Sequence, residues 1–416
     1  MEHLQSALGL AVLLALAWAL SENRAAIRGR VVWPGLALSA ALGIAMLELP
    51  ALRAVFAALA RAVGAVAEAT RAGTAFVFGY LGGGDLPFEP SRPEHVFVFA
   101  FQVLPIVVVM SALTALLFHW RIIPLLVRGA AAVLRRTLGV GGAVGLSTAA
   151  NIFVGMVEAP LVIRPYLARL TRGEMFIVMT GGMAGIAGTV MALYAVLLAP
   201  IIPEAFGHIL IASVLGAPLA IVVGHIMVPD AGRVADRDTA ASLGRAADSA
   251  MDAVAQGTQA GVELLINIVA SLVVLVALVA LANTLLGLLP DIAGAPVTLQ
   301  RALGLAMAPV CWLMGVPWAE AQSAGALMGV KTVLNELIAS AELARLPPEV
   351  LSPRSRLIML YALCGFANFG SLGIMIAGLS TMAPTRRGEI VGLGMKSIVS
   401  GTLCTCLMGA LAGLWF

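Results

Sequence analysis

Two carboxylates stand where an apolar sequence has no ordinary use for them. Glu158 lies in the run NIFVGMVEAP (151–160) and Glu336 in KTVLNELI (331–338), each among side chains suited to a hydrophobic interior. An acid retained in such surroundings usually faces a cavity and marks a route for an ion or a hydroxyl-bearing solute, because a carboxylate accepts hydrogen bonds at both oxygens and pairs with cations. Each acid is followed by an apolar stretch broken by glycine and polar residues: GGMAGIAGTV (181–190) after Glu158 and CGFANFGSLG (364–373) after Glu336. From acid to interruption is 27 residues to Gly185 in the first case and 32 residues to Asn368 in the second, a weak internal repeat. An acid-bearing hairpin followed by a broken helix, once in each half, is the pattern of a midplane site in secondary transporters.

The elements that must position these acids are membrane helices. With 61% hydrophobic and 11% charged residues, the 416-residue chain cannot be two or three soluble domains. Its net charge of +3 is too small and dispersed for a nucleic-acid partner. A crossing helix needs about 20 mostly apolar residues. Stretches free of Asp, Glu, Lys and Arg give eight such spans, at 4–21, 31–46, 96–118, 176–203, 206–229, 264–290, 357–385 and 397–416. The regions 140–166 and 302–337 carry charged residues, Pro and Gly in mid-run and read as re-entrant hairpins. The stretch 52–70 sets Arg53, Arg61 and Glu68 among apolar residues, the pattern of a helix lying flat at the interface, with a short extra crossing as the alternative.

The fold class expected is therefore an all-α polytopic membrane protein: eight transmembrane helices, two re-entrant hairpins and an interfacial helix, built as an inverted repeat. The first span lacks the positive flank and small-residue cleavage site of a signal peptide and is read as mature structure. Arginines at 24, 28 and 30, at 121, 128, 135 and 136, and at 386 and 387 place their loops in the cytoplasm, and so both termini outside a cell inner (plasma) membrane. The connection at 230–252, with Arg233, Arg237 and Arg245 among acids, supports this only weakly.

Other chemistries find no foothold. Cys311, Cys364, Cys404 and Cys406 fall in apolar runs without a CxxC pair, so they read as small core residues rather than zinc ligands or a disulfide framework. The five histidines are scattered. The sequence has no GxSxG, no HExxH, and no Gly-Lys-Ser/Thr after the glycines at 82–84. No resident cofactor is expected. An enzyme using Glu158 and Glu336 as acid and base, and a non-transporting subunit of the same fold, remain alternatives to a transporter.

At these residues the chain resembles the concentrative nucleoside transporter family. The resemblance spans most of the sequence: TAFVFG (74–79), FAFQVLP (99–105), TAANIFVG (148–155), EAPLVIRP (158–165), APVCWLMGVPWAE (308–320), VLNE (333–336), GFANF (365–369) and APTRR (383–387). It implies a homotrimer in the lipid bilayer, with a scaffold domain and a transport domain that carries the nucleoside across in an elevator-like step. The division implied is 1–136 mainly scaffold, 137–229 first transport half, 230–290 a loop and scaffold span, and 291–416 second transport half. By resemblance, Glu336, Asn368 and Ser371 bind ribose hydroxyls, Met156, Val157 and Glu158 face the nucleobase, and Val190 and Phe366 form apolar walls.

Two departures bear on function. The family's Gly-Gln-Thr-Glu is here Gly155-Met156-Val157-Glu158, which removes two hydrogen-bonding side chains and resembles purine-preferring members; a polarizable thioether suits a large flat base. A sodium site in the family draws on an Asn and a Ser side chain with backbone carbonyls. Here Asn151 and the Val154 and Ile186 carbonyls match, but the Ser position is Gly185. Sodium is preferred as the coupling ion because the Asn and backbone pattern persists; a proton carried by Glu158 is the alternative. Replacing Met156 by Gln and Val157 by Thr is expected to shift nucleoside competition toward pyrimidines, and an unchanged competition profile would remove this pair from specificity.

Overall fold

The computed structural model describes residues 2–92, 96–230, 247–291, 294 and 296–416; Arg233, Arg237 and Arg245, and likewise His95, lie outside them. No strand occurs among the described residues. The chain opens with α1 (Glu2–Ala19), α2 (Gly29–Glu48) and α3 (Pro50–Phe78). Pro50 begins α3, where its missing N–H costs nothing. At 29 residues α3 runs well beyond the 52–70 stretch, and with its following turn it is long and apolar enough to cross a bilayer.

Two series of helices follow in the same order. The first is α4 (Phe99–Gln102), α5 (Ile106–His119), α6 (Ile122–Leu138), α7 (Gly142–Ala150), α8 (Glu158–Leu161), α9 (Arg164–Leu167), α10 (Arg172–Ala184), α11 (Gly188–Leu198) and α12 (Ala205–Met227). The second is α13 (Ala250–Leu286), α14 (Leu299–Leu313), α15 (Trp318–Val333), α16 (Glu336–Arg345), α17 (Pro353–Leu363), α18 (Phe369–Met382) and α19 (Arg387–Trp415). Each series runs from an apolar helix (α5, α13) through a connecting helix (α6, α14) to a helix–turn–helix whose second arm starts with an acid. A helix in two pieces and a long closing helix complete it.

The expected third span is interrupted at Pro105, which cannot donate to the preceding turn. The stretch 302–337 also divides further than its apolar pattern suggests. α14 and α15 meet at 117°. Gly315 in the bend adopts φ 106, a left-handed conformation, and an ideal Cβ on it would lie 2.2 Å from Ser6 Oγ. The second helix–turn–helix is thus α15 and α16. By length and composition seven helices, or eight counting the bent pair as one span, suffice to cross a membrane among the described residues.

The core lies where α10, α12, α17 and α19 pack together, and α1 and α2 lie against α19 and α12. Thr180 of α10 and Ser400 of α19 share a hydrogen bond of 2.7 Å, the kind of hydroxyl contact that ties apolar helices together. α5 and α13 form a separate close pair. Along the 37 residues of α13 the buried positions are Ala253, Gly257 and Gly261, and most of the others are exposed or half-buried. An ideal Cβ on Gly257 would stand 2.7 Å from Ala112 Cα, and one on Gly261 2.7 Å from Val108 Cα. Alanine at both positions should force the helices apart, costing roughly 1–3 kcal/mol at each. A lowered melting temperature of the detergent-solubilised protein checks this, and an unchanged one contradicts it.

Candidate functional site

Glu336 is the first residue of α16, where helix polarity favours an anion. The turn is set by Asn335, whose side chain caps α16 by accepting from Ile338 N at 2.8 Å. The Glu336 carboxylate is buried, and both oxygens have partners. Tyr194 OH donates to Oε1 at 2.7 Å, and Asn368 Nδ2 donates to Oε2 at 2.9 Å. Asn368 is itself the cap of α18, its Oδ1 accepting from Ser371 N at 2.7 Å. One amide thus starts the second piece of a broken helix and reaches back to the acid. An ionised carboxylate has about four acceptor positions, more than these two side chains fill.

The two breaks cross. Phe366 N in the second donates to Gly185 O in the first at 3.2 Å. Gly365 makes the approach possible: an ideal Cβ on it would lie 3.0 Å from Met183 O and 2.6 Å from Thr405 Cγ2. Unwound backbone here is tolerated because it is buried in protein, not lipid.

Glu158 begins α8 as Glu336 begins α16, but it is exposed. It lines a cavity of about 870 Å³, within the range that takes a drug-sized solute. One wall comes from Val154, Gly155, Glu158 and Thr189, the other from Thr114 and Phe118 of α5 and Gln256, Glu263 and Asn267 of α13. Glu336 does not line this cavity. The link between them is α11, which shows Thr189 to the cavity and, five residues on, Tyr194 to Glu336.

The other expected residues divide. Asn368, Ser371 and Glu336 are brought together, and Val190 is buried on the α11 face that also carries Tyr194. Phe366 is half-buried at the crossing. Met156 and Val157 do not line the cavity: Met156 seats over Gly182 of α10 and Val157 over Gly378 of α18, with ideal Cβ contacts of 3.1 and 2.9 Å. Asn151 lies against the first break and donates from Nδ2 to Gly181 O at 2.6 Å. A Cβ on Gly185 would fall 2.3 Å from that Nδ2, and one on Gly188 2.3 Å from Phe153 O. The turn bearing Asn151 and Val154 thus rests on the segment bearing Ile186, which supplies side-chain and backbone oxygens of the hard kind a sodium ion takes. A serine at 185 has no room while Asn151 keeps this rotamer.

Sequence reasoning missed Tyr194 and the α13 residues. Tyr194 had a signal: it is a lone phenol in an apolar run, one helical turn after Val190. Gln256, Glu263 and Asn267 are spaced by seven and four, one face of a helix.

An all-helical chain of apolar spans with a buried polar site at two crossed breaks defines a membrane solute transporter. Residues 8–81 and 208–413 match the family models described as Na+ dependent nucleoside transporter N-terminus and C-terminus, and residues 100–201 match one described as nucleoside recognition. An uncharacterized transporter of Haemophilus influenzae is 38% identical, with 100% of this chain and 98% of that protein covered. The nucleoside permease NupC of Helicobacter pylori is 34% identical, with 99% and 97% covered. The transporter CNTnw, solved in an inward-facing substrate-bound state, superposes with a TM-score of 0.90 at 37% identity, with 100% and 98% covered. The chain belongs to the Na+-dependent concentrative nucleoside transporter family. These relatives are transporters, not enzymes.

Tyr194→Phe removes one donor to a buried carboxylate, an interaction worth roughly 1.5–3 kcal/mol. A rise of about tenfold or more in the KM of nucleoside uptake is expected, while Cys311→Ala leaves uptake nearly unchanged. An unaltered KM for the tyrosine variant would separate it from substrate binding.

Proposed function

We propose that this protein is a cation-coupled symporter that imports nucleosides, purines in preference, by an elevator-type alternating-access mechanism driven by Na+. The observation that carries the reading is the buried Glu336 carboxylate held by Tyr194 and Asn368 beside the crossing of two broken helices. A vicinal diol donates two hydrogen bonds to one carboxylate and exchanges others with an amide and a hydroxyl. Glu336, Asn368 and Ser371 therefore take the ribose. Glu158 takes the polar edge of the base, with Val190 and Phe366 as apolar walls and the Met156–Val157 pair as the floor of the turn beneath it.

In this reading Asn151 and the carbonyls of Val154 and Ile186 hold the sodium ion. Sodium bound there ties the first hairpin to the first break, so ion and nucleoside organise the same crossing from opposite sides. The moving unit is the transport domain drawn over 137–229 and 291–416. The α5 and α13 pair is the fixed wall over which the cavity opens, and α1 and α2, packed on α19 and α12, bound the moving unit on its far side. The outward apolar surface of α13 supports assembly as a homotrimer in the cell inner membrane, with both termini outside.

The test is proteoliposome uptake of a panel of labelled purine and pyrimidine nucleosides under separately imposed sodium and proton gradients. Uptake against a concentration gradient that needs sodium and favours purines is expected. Uptake indifferent to sodium and abolished by collapsing the proton gradient would instead assign the coupling to a proton, and a flat panel would remove the purine preference.

A further inference from the structure

We propose that the cavity beside Glu158 is a nucleoside-binding station in its own right, built on α13 by Gln256, Glu263 and Asn267 and separate from the Glu336 site. The proposal rests on the reading of the solute as a nucleoside. At about 870 Å³ the cavity can hold a drug-sized solute, and Glu336 does not line it. The Glu336 carboxylate is buried, with Tyr194 and Asn368 on its two oxygens. A solute lodged in the cavity is therefore held by other groups than that carboxylate.

α13 supplies those groups. From Val262 to Leu281 its charged or amide side chains are Glu263 and Asn267, and both line the cavity. Such side chains are costly against lipid, and in a spanning helix they face a cavity and mark a solute's route. Packing sets their direction: an ideal Cβ on Gly257 or Gly261 would stand 2.7 Å from the α5 backbone, which fixes the face that α13 turns to α5. The stripe beside that contact is Gln256, Ala260, Glu263, Leu264 and Asn267, which recur at helical spacing along one wall of the cavity. A core role does not explain Glu263 and Asn267, because both are exposed. Gln256 is anchored at one end, its Nε2 donating to Asp252 Oδ2 at 2.9 Å, which leaves its carbonyl oxygen as an acceptor.

The combination suits a nucleoside. The amides of Gln256 and Asn267 offer donors and acceptors, as the edge of a base does, and the carboxylates of Glu263 and Glu158 accept from hydroxyls or from an exocyclic amine. Phe118 of α5 adds an aromatic ring of the kind on which bases stack. The station is where a solute waits before it reaches the buried acid. α11 joins the two places, with Thr189 at the cavity and Tyr194 on Glu336.

Thiol protection in the purified full-length protein tests this. Cys311, Cys364, Cys404 and Cys406 are buried, so Ala260→Cys, on the cavity stripe, reports occupancy through its rate of modification by a charged methanethiosulfonate reagent. In a Glu336→Gln background adenosine is expected still to slow the modification. Adding Glu263→Gln and Asn267→Leu should raise the half-protecting adenosine concentration by about tenfold or more, through the loss of hydrogen bonds to one charged and one neutral group. If Glu336→Gln does not fold, the same rise is expected from the α13 pair in the otherwise unaltered Ala260→Cys protein. Absence of protection in a folded, reactive Glu336→Gln protein, or protection indifferent to the α13 pair, overturns the station. Calorimetry with adenosine and with uridine on the unsubstituted protein keeps the two failures apart: if neither binds, the nucleoside reading falls, and the proposal with it.

Discussion

The structure depends on a carboxylate kept away from water and given two donors. Glu336 is stable in its place because Tyr194 and Asn368 satisfy one lone pair on each oxygen. Those donors come from the second pieces of two different broken helices. A buried acid missing either partner is costly, so the three groups enforce one another's positions. The breaks at 185–187 and 364–368 are therefore structural requirements: each frees a helix start close to the midpoint of a long apolar element, where an uninterrupted helix offers neither an amide cap nor a polar turn.

Glycine makes the crossing physically possible. Gly365 lets one break approach the Met183 and Ala184 carbonyls of the other, and Gly185 leaves room for Asn151. The same logic works within the α5 and α13 pair, where Gly257 and Gly261 bring α13 onto α5 and leave the polar face of α13 looking across a cavity at Glu158. That face belongs to the outer pair, whereas Glu336 belongs to the core. The cavity lies between α5 and α13 on one side and the first hairpin on the other, and α11 stands between it and the acid.

Much of this was legible in the sequence because charge in an apolar run is a loud signal. The two acids, the glycine-broken stretches after them and the cap residue Asn368 were all readable from composition and spacing. The repeat was only faintly visible there, and it emerges in the structure as a common order of elements with an acid opening the second arm of each hairpin. What the sequence concealed were relations between distant segments. Tyr194 looks like any aromatic in a span until α16 is placed against α11, and Lys331 looks like an interruption until Ala362 and Thr405 close around it. Pro105 and Gly315 divide helices that an apolar count alone runs together. The apolar pair Met156 and Val157 is found seated on glycines, a packing role that no linear pattern shows.

The central claim is that the buried carboxylate reads a sugar diol, and calorimetric binding of a nucleoside and its 2′,3′-dideoxy analogue to the purified protein in sodium tests it most directly. Losing two hydrogen bonds to a charged acceptor should weaken the analogue by about 100-fold or more. Equal affinity for the two ligands would contradict the account.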